Sequence, residues 1–122
     1  MDPDYWRDHG VRIVPGSDLD VNTPQTPGMN RAAAITNART GASKLWAGTV
    51  TIHPHAKTGV HHHGDLESVI YVVRGRARMR VGLQDRAISQ GGVIFVAAEV
   101  EHRFYDITEE LVVLVFFAPA ET

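Results

Sequence analysis

Between residues 45 and 118 the apolar positions fall into short runs bounded by turn residues. Leu45 to Ile52 is rich in Trp, Val, Thr and Ile, and Ser68 to Val73 is a compact apolar run that stops at Gly75. Arg76 to Val81 alternates strictly, and Val93 to Ala97 and Leu111 to Phe117 are apolar again. Such runs, rich in β-branched and aromatic residues and separated by turn chemistry, predict strands. With no amphipathic stretch of three helical turns, the spacing points to an all-β sandwich or barrel. In the alternating run the arginines take one face and Ala77, Met79 and Val81 the other. That is the period of a strand with one face on a core and one in water, so the arginine row reads as a solvated face rather than an anion site.

The first 30 residues look different. Pro3, Pro15, Pro24 and Pro27, with Gly16 and Gly28 between them, leave no lasting period, which predicts an extended arm. Tyr5, Trp6, Val11, Ile13, Val14 and Leu19 are too apolar for a solvated tail, so the arm is expected to lie against its own domain or a second copy. The reading is therefore residues 1–30 as an arm and residues 31–122 as the barrel.

Composition narrows the chemistry. A chain of 122 residues with 43% hydrophobic and 21% charged residues is one globular domain. A net charge of −2 lacks the basic excess that nucleic-acid backbones demand. No apolar run is long enough for a membrane helix, and Asp2, Asp4 and Asp8 stand where a signal peptide would be basic, so a cytoplasmic location is expected. There are no cysteines, so any metal must be held by nitrogen and oxygen.

Of seven histidines, five fall between residues 53 and 63: His53, His55, His61, His62 and His63. In an extended segment His61 and His63 project to one side and His62 to the other, so two imidazoles can share one ion. Glu67 follows at the start of the next strand, close enough to add a carboxylate. His102 lies further on, in Glu99-Val-Glu-His-Arg-Phe104, between apolar runs. His9 and His62 read as ordinary surface or core histidines, as do His53 and His55, with a substrate-contacting role for the latter pair as the alternative.

These residues resemble the two motifs of the cupin superfamily, small β-barrels that hold a metal near the barrel centre. His61-His-His63, Glu67 and Gly75 follow the first motif, which is Gly, five residues, His-x-His, three or four residues, Glu, six residues, Gly. Gly91, Ala97-Ala-Glu99, His102 and Asp106 follow the second, which is Gly, five residues, Pro-x-Gly, two residues, His, three residues, Asn. The resemblance covers about residues 45–118 and implies a single cupin-type barrel (double-stranded β-helix, or jelly roll). It also departs from the pattern. Seven residues rather than six separate Glu67 from Gly75, so Ser68 competes for the carboxylate slot, with Glu67 preferred because it would offset a divalent charge. Gly59 is displaced towards His61, and Ala97, Glu99 and Asp106 replace Pro, Gly and Asn.

The implied site is one divalent transition metal (Mn, Fe, Co, Ni, Cu or Zn) on His61, His63, Glu67 and His102, with open positions for substrate or dioxygen. If Glu67 faces inward, so do Val69, Tyr71 and Val73, joined by Ala77, Met79, Val81 and Phe104. That lining is apolar, with Tyr71 as a weak candidate acid or base. The expected function is a metal-dependent enzyme of oxygenase or dioxygenase type acting on a small, largely apolar organic substrate. The alternatives are an isomerase or lyase, or a non-catalytic metal- or ligand-binding cupin. A homodimer built partly by the arm is expected, because open sheet edges are usually covered.

Overall fold

The computed structural model describes residues 10–56, 58 and 64–119. Its strands are β1 (Met29–Ile35), β2 (Trp46–Ile52), β3 (Glu67–Arg74), β4 (Arg76–Val81), β5 (Gln84–Ser89), β6 (Val93–Val96), β7 (His102–Tyr105) and β8 (Leu111–Ala118). One helical turn, α1 (Asn37–Thr40), and a 3-10 turn at Gly16–Asp18 complete the described elements. A five-stranded sheet in the order β1-β2-β8-β3-β6 lies with a three-stranded sheet in the order β5-β4-β7, all pairs antiparallel. This is the all-β jelly-roll barrel that the spacing and the motifs predict.

The most apolar strand takes the centre. In β8, Leu111, Val113, Val115 and Phe117 are buried, and the register with its neighbours sets which residues share that inward face. One inward row runs Arg31, Val50, Val113, Val72 across β1, β2, β8 and β3. Another runs Trp46, Phe117, Ser68, Val96 across β2, β8, β3 and β6. Met79 and Phe104 from the smaller sheet pack against this face to close the core. Trp46 and Phe117 meet with ring centroids 5.3 Å apart, and the Trp46 ring lies over Gly48, where an added Cβ would fall 2.6 Å from it.

The register also reverses one expectation. Ser68, Ile70 and Val72 are not what a Glu67-inward strand would bury, yet they pair with Phe117, Val115 and Val113 on the buried face of β8. Glu67, Val69, Tyr71 and Val73 therefore point outward and are exposed. A shift of one residue in a strand exchanges its two faces, and the buried face of β8 decides which one is used.

The five strands read from the sequence are present, with ends shifted by at most a residue or so. Three were not anticipated. β1, Met-Asn-Arg-Ala-Ala-Ala-Ile, has a single β-branched residue, β5 is polar and almost wholly exposed, and β7 has four residues. β1 runs across residue 30, where the arm was expected to end. Asp20 and Ala33 exchange two backbone hydrogen bonds of 2.9 Å, so the arm at that point lies on its own barrel. Val11 and Ile13 are exposed; Tyr5 and Trp6 lie outside the described residues.

Candidate metal and ligand cavity

The inward face encloses a cavity of about 290 Å3. Its wall is mostly apolar, with Trp46, Val50, Phe104, Val113 and Phe117 prominent, and its polar members are Thr26, Arg31, Thr58, Ser68 and His102.

His102 opens β7 and is 3% exposed. Its Nδ1 lies 3.2 Å from the Val100 carbonyl. A carbonyl only accepts, so this bond needs a proton on Nδ1, and a neutral ring in that form carries its lone pair on Nε2, as metal-ligating histidines commonly do.

Two ties hold Thr58 and Gly64, which flank the histidines in the sequence, beside the segment that carries His102. At one end, the buried Thr58 hydroxyl accepts the Phe104 N–H at 2.7 Å and donates to the Phe104 carbonyl at 3.2 Å, two residues beyond His102. At the other, the Glu99 N–H donates to the Gly64 carbonyl at 2.7 Å, three residues before His102. His61 and His63 themselves, with His62, lie outside the described residues.

The other anticipated site residues are placed differently. Glu67 is exposed on the outer face and does not line the cavity, whereas Ser68, 3% exposed, does. Tyr71 is 39% exposed on the outer face, so the structure does not bring it to the cavity as an acid or base. Of the predicted lining, Phe104 is found in the cavity wall and Val69 and Val73 are not. His53 is partly buried and His55 exposed, and neither lines the cavity, in line with their ordinary reading. Among the described residues, no three of His, Asp and Glu gather as a metal cluster.

Arg31 was missed. It stands in an Ala-rich strand with little β signal, so its inward position shows only in the register with β2. The departures from the second motif have a visible consequence: Glu99 has φ +65° and Asp106 φ +52°. Both are left-handed conformations, which favour the Gly that the pattern carries at the first position and are tolerated by Asn or Asp at the second.

A family model for the cupin domain matches residues 48–117. The chain belongs to the cupin family. This cupin is also 38% identical over 87 residues to the uncharacterized protein SCO3923 of Streptomyces coelicolor, covering 70% of this chain and 74% of that one. Among solved structures it resembles KdgF from a Halomonas species, with a TM-score of 0.77 at 18% identity over 91% of this chain and 96% of that one. An RmlC-like cupin from Shewanella frigidimarina gives a TM-score of 0.77 at 22% identity over 91% and 93%. At these identities the two structures speak for the fold. Among the described residues no helix is long and apolar enough to cross a membrane.

Proposed function

We propose that this cupin is a metal-dependent enzyme acting on a small organic molecule, with the ion held by His102 together with His61 and His63. The observation that carries the reading is the buried His102 in the cavity wall, supported by the ties of Thr58 to Phe104 and of Gly64 to Glu99, the described residues that flank His61 and His63 in the sequence. The imidazole at the cavity has the tautomer of a ligand, and the other polar group in the motif's carboxylate slot is the neutral Ser68. These groups fit a divalent ion as a three-imidazole set; they do not supply the carboxylate that Glu67 was expected to bring. When bound, such an ion supplies a Lewis acid for a substrate oxygen and, if redox-active, electrons for dioxygen. The chain's own part is to exclude water with the Trp46, Val113 and Phe117 wall and to hold the His102 ring through Val100.

Oxygenase or dioxygenase chemistry on a largely apolar substrate remains the first reading. An isomerase or lyase is the second, favoured by Ser68, because a set of neutral ligands leaves the ion its full charge and makes it a stronger Lewis acid. A homodimer and a cytoplasmic location complete the proposal. The test is to purify the protein, measure bound metal, reload it with Fe, Mn, Co, Ni, Cu or Zn, and follow oxygen consumption and product formation over phenolic, keto-acid and diketone substrates. One equivalent of metal, lost in the His61→Ala, His63→Ala double variant, supports the site, and full metal in that variant overturns it. Turnover that consumes oxygen selects the oxygenase, and turnover with Zn in the absence of oxygen selects the second reading. Tight ligand binding without turnover under any metal leaves a binding protein.

A further inference from the structure

Arg31 brings the only formal charge to the described wall of the cavity, apart from what His102 carries when protonated. It lies on the inward face of β1, between Met29, which packs against the core, and Ala33, which is part of it, and opposite the buried Val50. Its backbone is occupied: the N–H donates to the Gln25 side chain at 2.7 Å, and the carbonyl accepts from Thr23 and Gln25 at 2.8 and 3.0 Å. Arg31 is half-buried as a residue, and its guanidinium has no ion pair or hydrogen bond with any described residue. Arg12 and Arg39 reach Asp18, Arg74 reaches Glu110, Arg76 reaches Glu109 and Arg78 reaches Asp85, Arg103 lies over the Tyr105 ring, and Arg80 and Arg86, which have no carboxylate partner among the described residues, are exposed. The guanidinium nitrogens are not buried away from solvent, so a cation at the edge of an apolar wall is open to pair with an anion that enters the cavity.

The geometry points to an anionic ligand: we infer that the cavity takes a small organic monocarboxylate, its carboxylate on the Arg31 guanidinium and its apolar body against Trp46, Val50 and Val113. The planar guanidinium matches a carboxylate with two parallel hydrogen bonds. One guanidinium balances one negative charge, and among the described residues the wall holds no second cationic side chain beside it. The cavity volume suits a ligand of roughly ten non-hydrogen atoms, at the lower end of small-molecule sites. This rests on the reading of the cavity as the substrate site, and it replaces the expectation of a neutral lining.

The experiment titrates the full-length protein, as purified, with benzoate, benzyl alcohol and phenyl phosphate, by calorimetry and by the fluorescence of the cavity-lining Trp46. Benzoate should bind about tenfold to a hundredfold more tightly than benzyl alcohol, as expected for a charge-assisted pair in a partly buried site. Arg31→Gln should erase that preference and leave benzyl alcohol binding unchanged, which also shows that the cavity is intact, and Arg31→Lys should keep part of it. Equal binding of acid and alcohol by the unaltered protein, or an undiminished preference in Arg31→Gln, overturns the inference. So does tighter binding of phenyl phosphate than of benzoate. Metal measured on the same samples separates the two readings. A metal-free protein that binds benzoate through Arg31 overturns the metal site alone, and a metal-loaded protein indifferent to Arg31→Gln overturns the carboxylate alone.

Discussion

Side by side on β3, Glu67 and Ser68 occupy opposite faces, and which of them meets the metal is a matter of one residue in register. With Ser68 inward, Ser68→Glu places a carboxylate in the cavity wall and is expected to tighten metal binding by an order of magnitude or more, whereas Glu67→Ala leaves it within about twofold. Competition with a chromophoric chelator reads both, and a large loss in Glu67→Ala would return the ligand role to that residue. At Glu99 the left-handed backbone puts a side chain where Gly is better suited, at a cost of about 1 kcal/mol or somewhat more, part of which Gly returns through the freedom of the unfolded chain. Glu99→Gly is therefore expected to raise stability by about 0.5 kcal/mol in urea unfolding. An unchanged or lower midpoint would show that the Glu99 side chain offsets its own strain.

The smaller sheet is tied across its outer face by one cluster. Arg78 on β4 donates to the Asp85 carboxylate on β5 at 3.2 Å and to the Tyr105 hydroxyl on β7 at 3.4 Å, and the Tyr105 hydroxyl donates to Asp85. The Tyr105 hydrogen bond, the largest influence, joined by Arg78 and Arg80, holds the Asp85 carboxyl below its ordinary value of 3.8 against an opposing desolvation. A carboxyl whose folded value is depressed stabilises the protein above its unfolded value and ceases to do so as pH falls through the folded one. The melting temperature should therefore drop on acidification below about pH 4, and drop less steeply in Asp85→Asn. Equal slopes would show that the cluster does not couple to folding. In the larger sheet, Gly48→Ala sets a methyl against the Trp46 ring and the Ala32 carbonyl. It is expected to cost about 1–3 kcal/mol in equilibrium unfolding and to weaken ligand binding by displacing Trp46; a neutral result would mean that the ring can move away freely.

On the whole molecule, the outward-turned residues of β3 create a surface that the sequence reading had placed inside. Val69 pairs with Phe95 on β6 and Phe116 on β8, and Tyr71 with Val93 on β6, and these residues, with Val73 further along β3, are all exposed. A contiguous apolar sheet face of this kind is what a two-fold dimer buries between identical patches. The expected homodimer accordingly gains a second candidate surface beside the arm. Sedimentation should find a dimer at tens of micromolar, converted to a monomer by Phe95→Lys with Tyr71→Glu. A dimer that survives these changes but is lost on removal of the arm would assign the contact to the arm, and a monomeric unaltered chain would remove the idea.

Pattern and motif were enough for the barrel and for five of its strands, because alternation reports a buried face without any knowledge of neighbours, and they singled out His102, which the structure places in the cavity wall. The solvated arginine row is an example: Arg76, Arg78 and Arg80 turn away from a core that takes Ala77 and Met79. Three things lay beyond it. The face of β3 depended on pairing with β8, since Ser68-Val-Ile-Tyr-Val-Val73 is apolar on both sides and carries no alternation of its own. β1 and β5 owe their extension to the strands beside them, because local propensity in Ala-rich or polar segments is too weak to specify a strand. The inward guanidinium of Arg31 followed from β1. A charge gains meaning only from what surrounds it, and those surroundings come from Val50, Val113 and Phe117, far along the chain and assembled only in the folded barrel.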